Sequence, residues 1–223
     1  MGLLEIACFN LQSAIIAQEN GADRVELCDG IAVGGTTPDY EMVTQACQEL
    51  SIDLNVMIRP RGGNFVYTDG EFEQMKSEIL TFKNIKVDGF VFGILNENGT
   101  INIEQNKVLV QLAHPFPCTF HRAFDEVSNV FQALEEVIDC GFQTILTSGQ
   151  APHVMEGCDC LMELVSKANN RIIIMPGGGL RSSNISSIQQ KTKAHYYHSS
   201  AITDGDETAN AFEVKALKMK LNL

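Results

Sequence analysis

Two carboxylates in this chain stand in places where a carboxylate is expensive. Glu5 interrupts the run Leu3-Leu4-Glu5-Ile6, and Glu26 interrupts Val25-Glu26-Leu27. Burying a charge among apolar neighbours is unfavourable unless a cation or hydrogen-bond donors meet it. Such groups either hold a fold together as ion pairs or exchange protons with a ligand. His121 and His198 each fall at the end of a short apolar run, and imidazole titrates near neutrality, so either can serve as acid, base or metal ligand. Glu5, Glu26 and His121 are the candidates for acid–base catalysis. Arg59-Pro60-Arg61-Gly62-Gly63 sets two guanidiniums about a rigid proline. Arginine favours bidentate recognition of carboxylate or phosphate. We expect Arg59 and Arg61 to hold a substrate anion, or Arg59 to be the counterion of Glu5 and Glu26 with Arg61 left for the ligand.

A second group of residues suits anion binding. Gly177-Gly178-Gly179, followed about twenty residues later by His198-Ser199-Ser200, offers backbone amides of the kind that hold phosphate, or merely permits a tight turn. Arg122 and Asp125, in His121-Arg122-Ala123-Phe124-Asp125, complete the candidate binding set. Other chemistries lack their residues. No lysine falls in a predicted strand, which argues against a Schiff base there. Zinc spacings such as His-Glu-x-x-His or paired Cys-x-x-Cys are missing. Cys158-Asp159-Cys160 reads as ordinary surface thiols, and His114, His153 and His195 as surface or packing residues.

These residues need a scaffold that gathers them. Apolar or β-branched runs predict strands over 3–8, 24–28, 54–59, 89–93, 118–121, 144–147, 171–175 and 195–199, with helical periodicity between them. Val130, Ala133, Leu134, Val137 and Ile138 mark one such helix, and Phe72, Met75, Ile79 and Phe82 another. Several helix-to-strand junctions repeat one pattern, as in Gly21-Ala22-Asp23-Arg24-Val25 and Gly141-Phe142-Gln143-Thr144-Ile145. Eight strand–helix units in residues 1–223 predict a single (β/α)8 barrel, with a doubly wound open sheet as the alternative. In a barrel the candidate residues fall at the C-terminal strand ends, where ligands bind. Strand alternation puts Glu5 with Ala7, and Glu26 with Cys28, on the lumen side, and turns Cys8 the other way.

A formal charge of −12 and the lack of a basic stripe argue against nucleic-acid or anionic-membrane partners. No stretch approaches the ~20 apolar residues of a membrane helix, and the first residues lack the features of a secretory signal. Seven cysteines at irregular spacing fit reduced thiols and a cytoplasmic location. The expected partner is a metal ion or a small anionic molecule.

The strand-end segments together resemble the CutC copper-homeostasis family. The likeness rests on Gly21–Cys28, Gly34-Gly35-Thr36-Thr37-Pro38, Met57–Gly63 and Phe65-Val66-Tyr67-Thr68-Asp69. It continues through Thr119–Asp125, Leu146-Thr147-Ser148-Gly149, Met175–Gly179 and His198–Ala201. The resemblance implies a TIM barrel, a cytoplasmic homo-oligomer and a link to copper(I), a soft ion that prefers thiolates. It implies Cys28 as one thiol ligand. At the family's other thiol position this chain has Ala7, which leaves the neighbouring Cys8 as the second candidate, and the segment after Ala201 is shorter than in many relatives.

Overall fold

The predicted runs become strands and the periodic segments become helices, in strict alternation. The computed structural model describes residues 2–222. The first half holds β1 (Leu3–Cys8), α1 (Leu11–Glu19), β2 (Arg24–Leu27), α2 (Tyr40–Glu49), β3 (Asp53–Met57), α3 (Asp69–Phe82), β4 (Gly89–Phe92) and α4 (Ile103–Ala113). The second holds β5 (Cys118–Phe120), α5 (Val130–Cys140), β6 (Thr144–Thr147), α6 (Cys158–Ala168), β7 (Ile173–Pro176), α7 (Ile185–Thr192), β8 (Tyr196–Ser199) and α8 (Ala211–Leu221). Two 3-10 turns, Ile31–Val33 and Arg122–Glu126, follow β2 and β5. All register pairs are parallel and run from β7 in order down to β1 and then β8. β8 lies beside β7, so the ring closes into a (β/α)8 barrel.

Local chemistry sets the helix ends. Asn10, Asp39, Asn102, Asn129 and Asn210 each cap a helix by accepting from an amide in its first turn. Thr68 and Glu71 form a reciprocal capping box at α3. Gly141 ends α5 at φ 93°, a conformation that a β-carbon would disfavour.

The two faces of the strands differ in kind. Outward residues such as Leu4, Ile6, Val25, Leu27, Val56, Phe90, Phe92 and Phe120 are sealed between sheet and helices in one large apolar layer. Each such side chain contributes roughly 1.5–3 kcal/mol by leaving water. The lumen holds a small apolar cluster, Cys28, Met57 and Val91 with Phe9 against it, together with Ala7, Leu146 and Met175. Much of that face is polar: Glu5, Arg24, Glu26, Asn55, Thr119 and His198 are all buried. The outer layer therefore stabilises a lumen whose contents oppose burial.

Two strand boundaries fall two residues from expectation, and one thiol is placed differently. β3 leaves the ladder after Met57, two residues before Arg59, so strand alternation no longer directs that side chain. β7 starts at Ile173, because Arg171 closes the turn after α6 and pairs with Glu135. Cys158 is not a surface thiol: it opens α6 and is buried, with Cys160 half-buried. His114, His153 and His195 are exposed.

Candidate functional site

Register alone brings the first charged residues together. Glu5 pairs with Arg24 on one side and His198 on the other, and Ala7 pairs with Glu26. Arg24 Nε meets Glu5 Oε2 at 2.5 Å, and His198 Nδ1 lies 2.7 Å from Glu5 Oε1. Both Glu5 oxygens are thus committed. The counterion of Glu5 is Arg24, not Arg59. Arg24 shares parity with Glu26 and Cys28, and its guanidinium rests 4.7 Å over the Tyr196 ring.

Above this pair the cluster is less complete. His198 Nε2 lies 3.7 Å from Glu26 Oε2, and Cys28 Sγ lies 3.6 Å from the same oxygen. Glu26 Oε1 is buried and, among the described residues, has no partner. Burial alone would raise the Glu5 carboxyl, but Arg24 and then His198 outweigh it and hold it at about 2. Glu26 goes the other way. Burial raises it, His198 opposes, Glu5 reinforces, and the result is about 7. Burial would lower His198, yet Glu26 and Glu5 raise it. Two adjacent carboxylates in one pocket are driven apart, one fixed as an anion and the other poised to take or give a proton near neutrality.

Glu26, Cys28 and His198 line a cavity of about 200 Å³ that opens at the C-terminal strand ends. His121 lines it from just past the end of β5. Its Nδ1 accepts from the Ala123 amide at 3.3 Å, and its buried Nε2 has no partner among the described residues. Burial, then Arg59, push this imidazole down to about 3, so it is neutral.

The other end of the cavity is suited to an anion. Gly178, Gly179, Ser199, Ser200, Arg122 and Arg181 line it. The Gly178 and Gly179 amides find no acceptor among the described residues. Gly178 sits at φ 95°, and a β-carbon there would stand 3.2 Å from the Arg122 guanidinium carbon. Arg122 gives Nε to Asp125 and Nη2 to Ser148, which leaves Nη1 toward Gly178. Arg181 was not among the expected residues. It is held by the Leu180 and Ile202 carbonyls and Ser199 Oγ. Its position two residues past the glycines, ahead of α7, was the signal in the sequence.

Several expected ligand groups are already occupied. Arg59 lines the cavity but donates to the Val33, Gly35 and Gly63 carbonyls and stacks over Phe65, so it organises the loops above β2 and β3. Arg61 pairs with Glu71 at 2.6 Å and with three nearby carbonyls, outside the cavity. Asp125 accepts from Thr147, Ser148, Gln150 and Arg122, and so is a loop anchor, not a ligand group. Gly177 donates its amide to the Thr147 carbonyl and packs toward Leu146 and His198 rather than lining the cavity. Ser199 Oγ donates to the Leu180 carbonyl.

Donor atoms of Glu5, Glu26 and His198 lie within 4.8 Å of one another. Because Glu5 is consumed by Arg24 and His198, it would orient a metal-binding histidine rather than ligate. Cys8 is buried in the outer layer with its thiol toward the Ile6 carbonyl. Cys28 on the lumen side has Ala7 where a second lumen thiol would come. Burial and then Glu26 drive the Cys28 thiol well above its ordinary value. These residues do not fit a two-thiolate copper(I) centre.

The profile of the CutC family matches residues 2–203. The chain belongs to the CutC family. It is 46% identical over 200 residues to a family protein CutC of Parabacteroides distasonis, covering 89% of this chain and 82% of that one. It is 42% identical over 204 residues to the copper homeostasis protein cutC homolog of Homo sapiens, covering 92% and 75%. The crystal structure of CutC from Streptococcus agalactiae superposes with a TM-score of 0.87 at 38% identity, over 91% of this chain and all of that one. Phosphoribosyl anthranilate isomerase from Thermotoga maritima superposes with a TM-score of 0.69 at 15% identity, over 100% of this chain and 99% of that one, a likeness of fold alone.

Glu26 makes stability depend on pH in a defined sense. A carboxyl raised from 4.5 to about 7 on folding gives the folded state extra affinity for a proton. That contribution is present at low pH and is lost as pH rises through 7. Glu26→Gln should therefore gain stability relative to the wild type between pH 5 and pH 8, by on the order of 2 kcal/mol. Urea unfolding at the two pH values measures this, and an equal difference at both would contradict the assignment.

Proposed function

We propose that this CutC-family barrel is an enzyme for a small anionic metabolite, with the anion seated at the Gly178–Gly179 end of the cavity and Glu26 exchanging a proton at the other. The observation that carries this reading is the buried Glu26 carboxyl, one of its oxygens unpartnered among the described residues, at the wall of a cavity whose far end offers free amides and Arg122. A thiolate metal site has no use for that anion seat. His198, held by Glu5, faces Glu26 through Nε2 and can pass a proton to or from it, so Glu5 and Arg24 act as positioning residues. A phosphate group is the best candidate anion, because loop amides after the seventh and eighth strands of a barrel suit it.

A second reading follows from Cys28. It shares the cavity wall with the Met57 thioether, which gives soft copper(I) one thiol and one thioether. The name of the human relative, a copper homeostasis protein cutC homolog, favours it. The same reading places the protein in a reducing cytoplasm, in keeping with its seven free cysteines. Phe212 and Met219, seven residues apart on the outer face of α8 and 85% and 61% exposed, support a homo-oligomer.

Thermal unfolding with inorganic phosphate tests the first reading. Millimolar phosphate should raise the wild-type Tm by a few degrees and leave Arg122→Met unmoved. No shift in the wild type, or an equal shift in the variant, contradicts it. Copper(I) titration against a competing chelator tests the second reading, which requires Cys28→Ser to bind at least tenfold more weakly than the wild type; equal affinity rules it out.

A further inference from the structure

His121 has a feature that the anion seat and Glu26 leave unexplained. Its Nδ1 accepts the Ala123 N–H, so the ring hydrogen resides on Nε2. The ring is clamped against Phe65, centroids 4.8 Å apart, with the edge of Phe120 beyond. Burial, and then Arg59, itself stacked over Phe65, discourage a second proton. His121 is therefore a fixed, neutral hydrogen-bond donor whose donating atom has no acceptor among the described residues. A charged donor would suit an anion already present in the substrate. A neutral one in a dry pocket suits an oxygen on which negative charge develops during reaction.

Glu26, three strands round the ring on β2, supplies the complementary group: a buried carboxyl oxygen with no partner among the described residues. Routes through a covalent intermediate lack a nucleophile. Among the described residues no lysine lines the cavity, and the Cys28 thiol is committed as a hydrogen-bond donor to Glu26. Proton transfer coupled to charge development on an oxygen is what the two walls provide.

We infer that the substrate is a small phosphorylated α-hydroxy carbonyl compound, and that Glu26 and His121 enolise it, Glu26 as the base and the His121 Nε2–H as the donor to the carbonyl oxygen. This rests on the anionic-metabolite reading and names its reacting group. The Glu26 carboxylate takes the proton from the carbon next to the carbonyl. The C–H electron pair becomes the new C=C bond, and the carbonyl π pair moves onto oxygen, where His121 hydrogen-bonds it. Return of the proton to the same carbon restores the substrate. Return to the neighbouring carbon, with the hydroxyl proton passed to the first oxygen, gives the isomeric α-hydroxy carbonyl, and nothing is oxidised or reduced overall.

The probe is 2-phosphoglycolate, whose planar carboxylate imitates the enediolate while its phosphate takes the anion seat. Calorimetry on the full chain should show it binding at least tenfold more tightly than inorganic phosphate or glycolate. Run in buffers of different ionisation enthalpy near pH 8, binding should take up close to one proton, and Glu26→Gln should abolish that uptake. His121→Phe should lose the tenfold advantage yet keep its affinity for phosphate. Should that variant not fold, the wild type decides through exchange of the carbon-bound hydrogens of dihydroxyacetone phosphate in deuterium oxide, expected for the wild type and lost in Glu26→Gln. Phosphate binding with no gain for 2-phosphoglycolate overturns this inference alone. Absence of phosphate binding overturns the anionic-metabolite reading and this inference with it.

Discussion

The buried ion pair between Glu5 and Arg24 is the constraint around which the lumen is arranged. Two charges taken out of water gain little net stability even when well matched, but removing one partner leaves the other stranded at a cost of about 3–5 kcal/mol. Neither residue can change alone. With one oxygen held by Arg24, Glu5 offers the other to His198, and that bond turns Nε2 toward Glu26. Glu26 is then the carboxylate left over: it has no arginine of its own and lies beside a fixed anion. Its readiness to hold a proton near neutrality follows from the pairing beneath it.

Such a lumen is sustained by the apolar layer outside it. The sheet is anchored to the helices by residues of one strand parity, while the other parity is free to carry polar side chains that a close-packed barrel would replace with Val, Ile and Leu. The loops are fixed by comparable means. Arg59 ties three carbonyls from two loops together, and Asp125 gathers the loops after β5 and β6. Arginine and aspartate at the rim therefore do two jobs, and only the geometry separates loop anchors from groups free to meet a ligand.

That distinction marks how far the sequence could be read. Glu5, Glu26 and Cys28 on the lumen side, and Cys8 away from it, follow from alternation within short strands. Arg24 carries the same parity as Glu26 and could have been read as the counterion from that alone. Arg59 was beyond the reach of alternation, because β3 ends at Met57 and the chain turns before reaching it. Arg61 and Asp125 depend on loop conformations that local sequence does not specify. The His121 tautomer is set locally, by the Ala123 amide two residues on, through a turn that local sequence did not announce; the free oxygen of Glu26 is a property of no one segment and arises only when strands far apart in the chain are brought together.

The account stands on one asymmetry, that Glu5 is a permanent anion while its neighbour carries an exchangeable proton. A carbon-13 NMR titration of the glutamate side-chain carboxyls in the folded protein reads both at once. The Glu26 signal should move with a midpoint near pH 7 while the Glu5 signal stays flat down to about pH 3. Both signals moving together in the ordinary carboxylate range would contradict it.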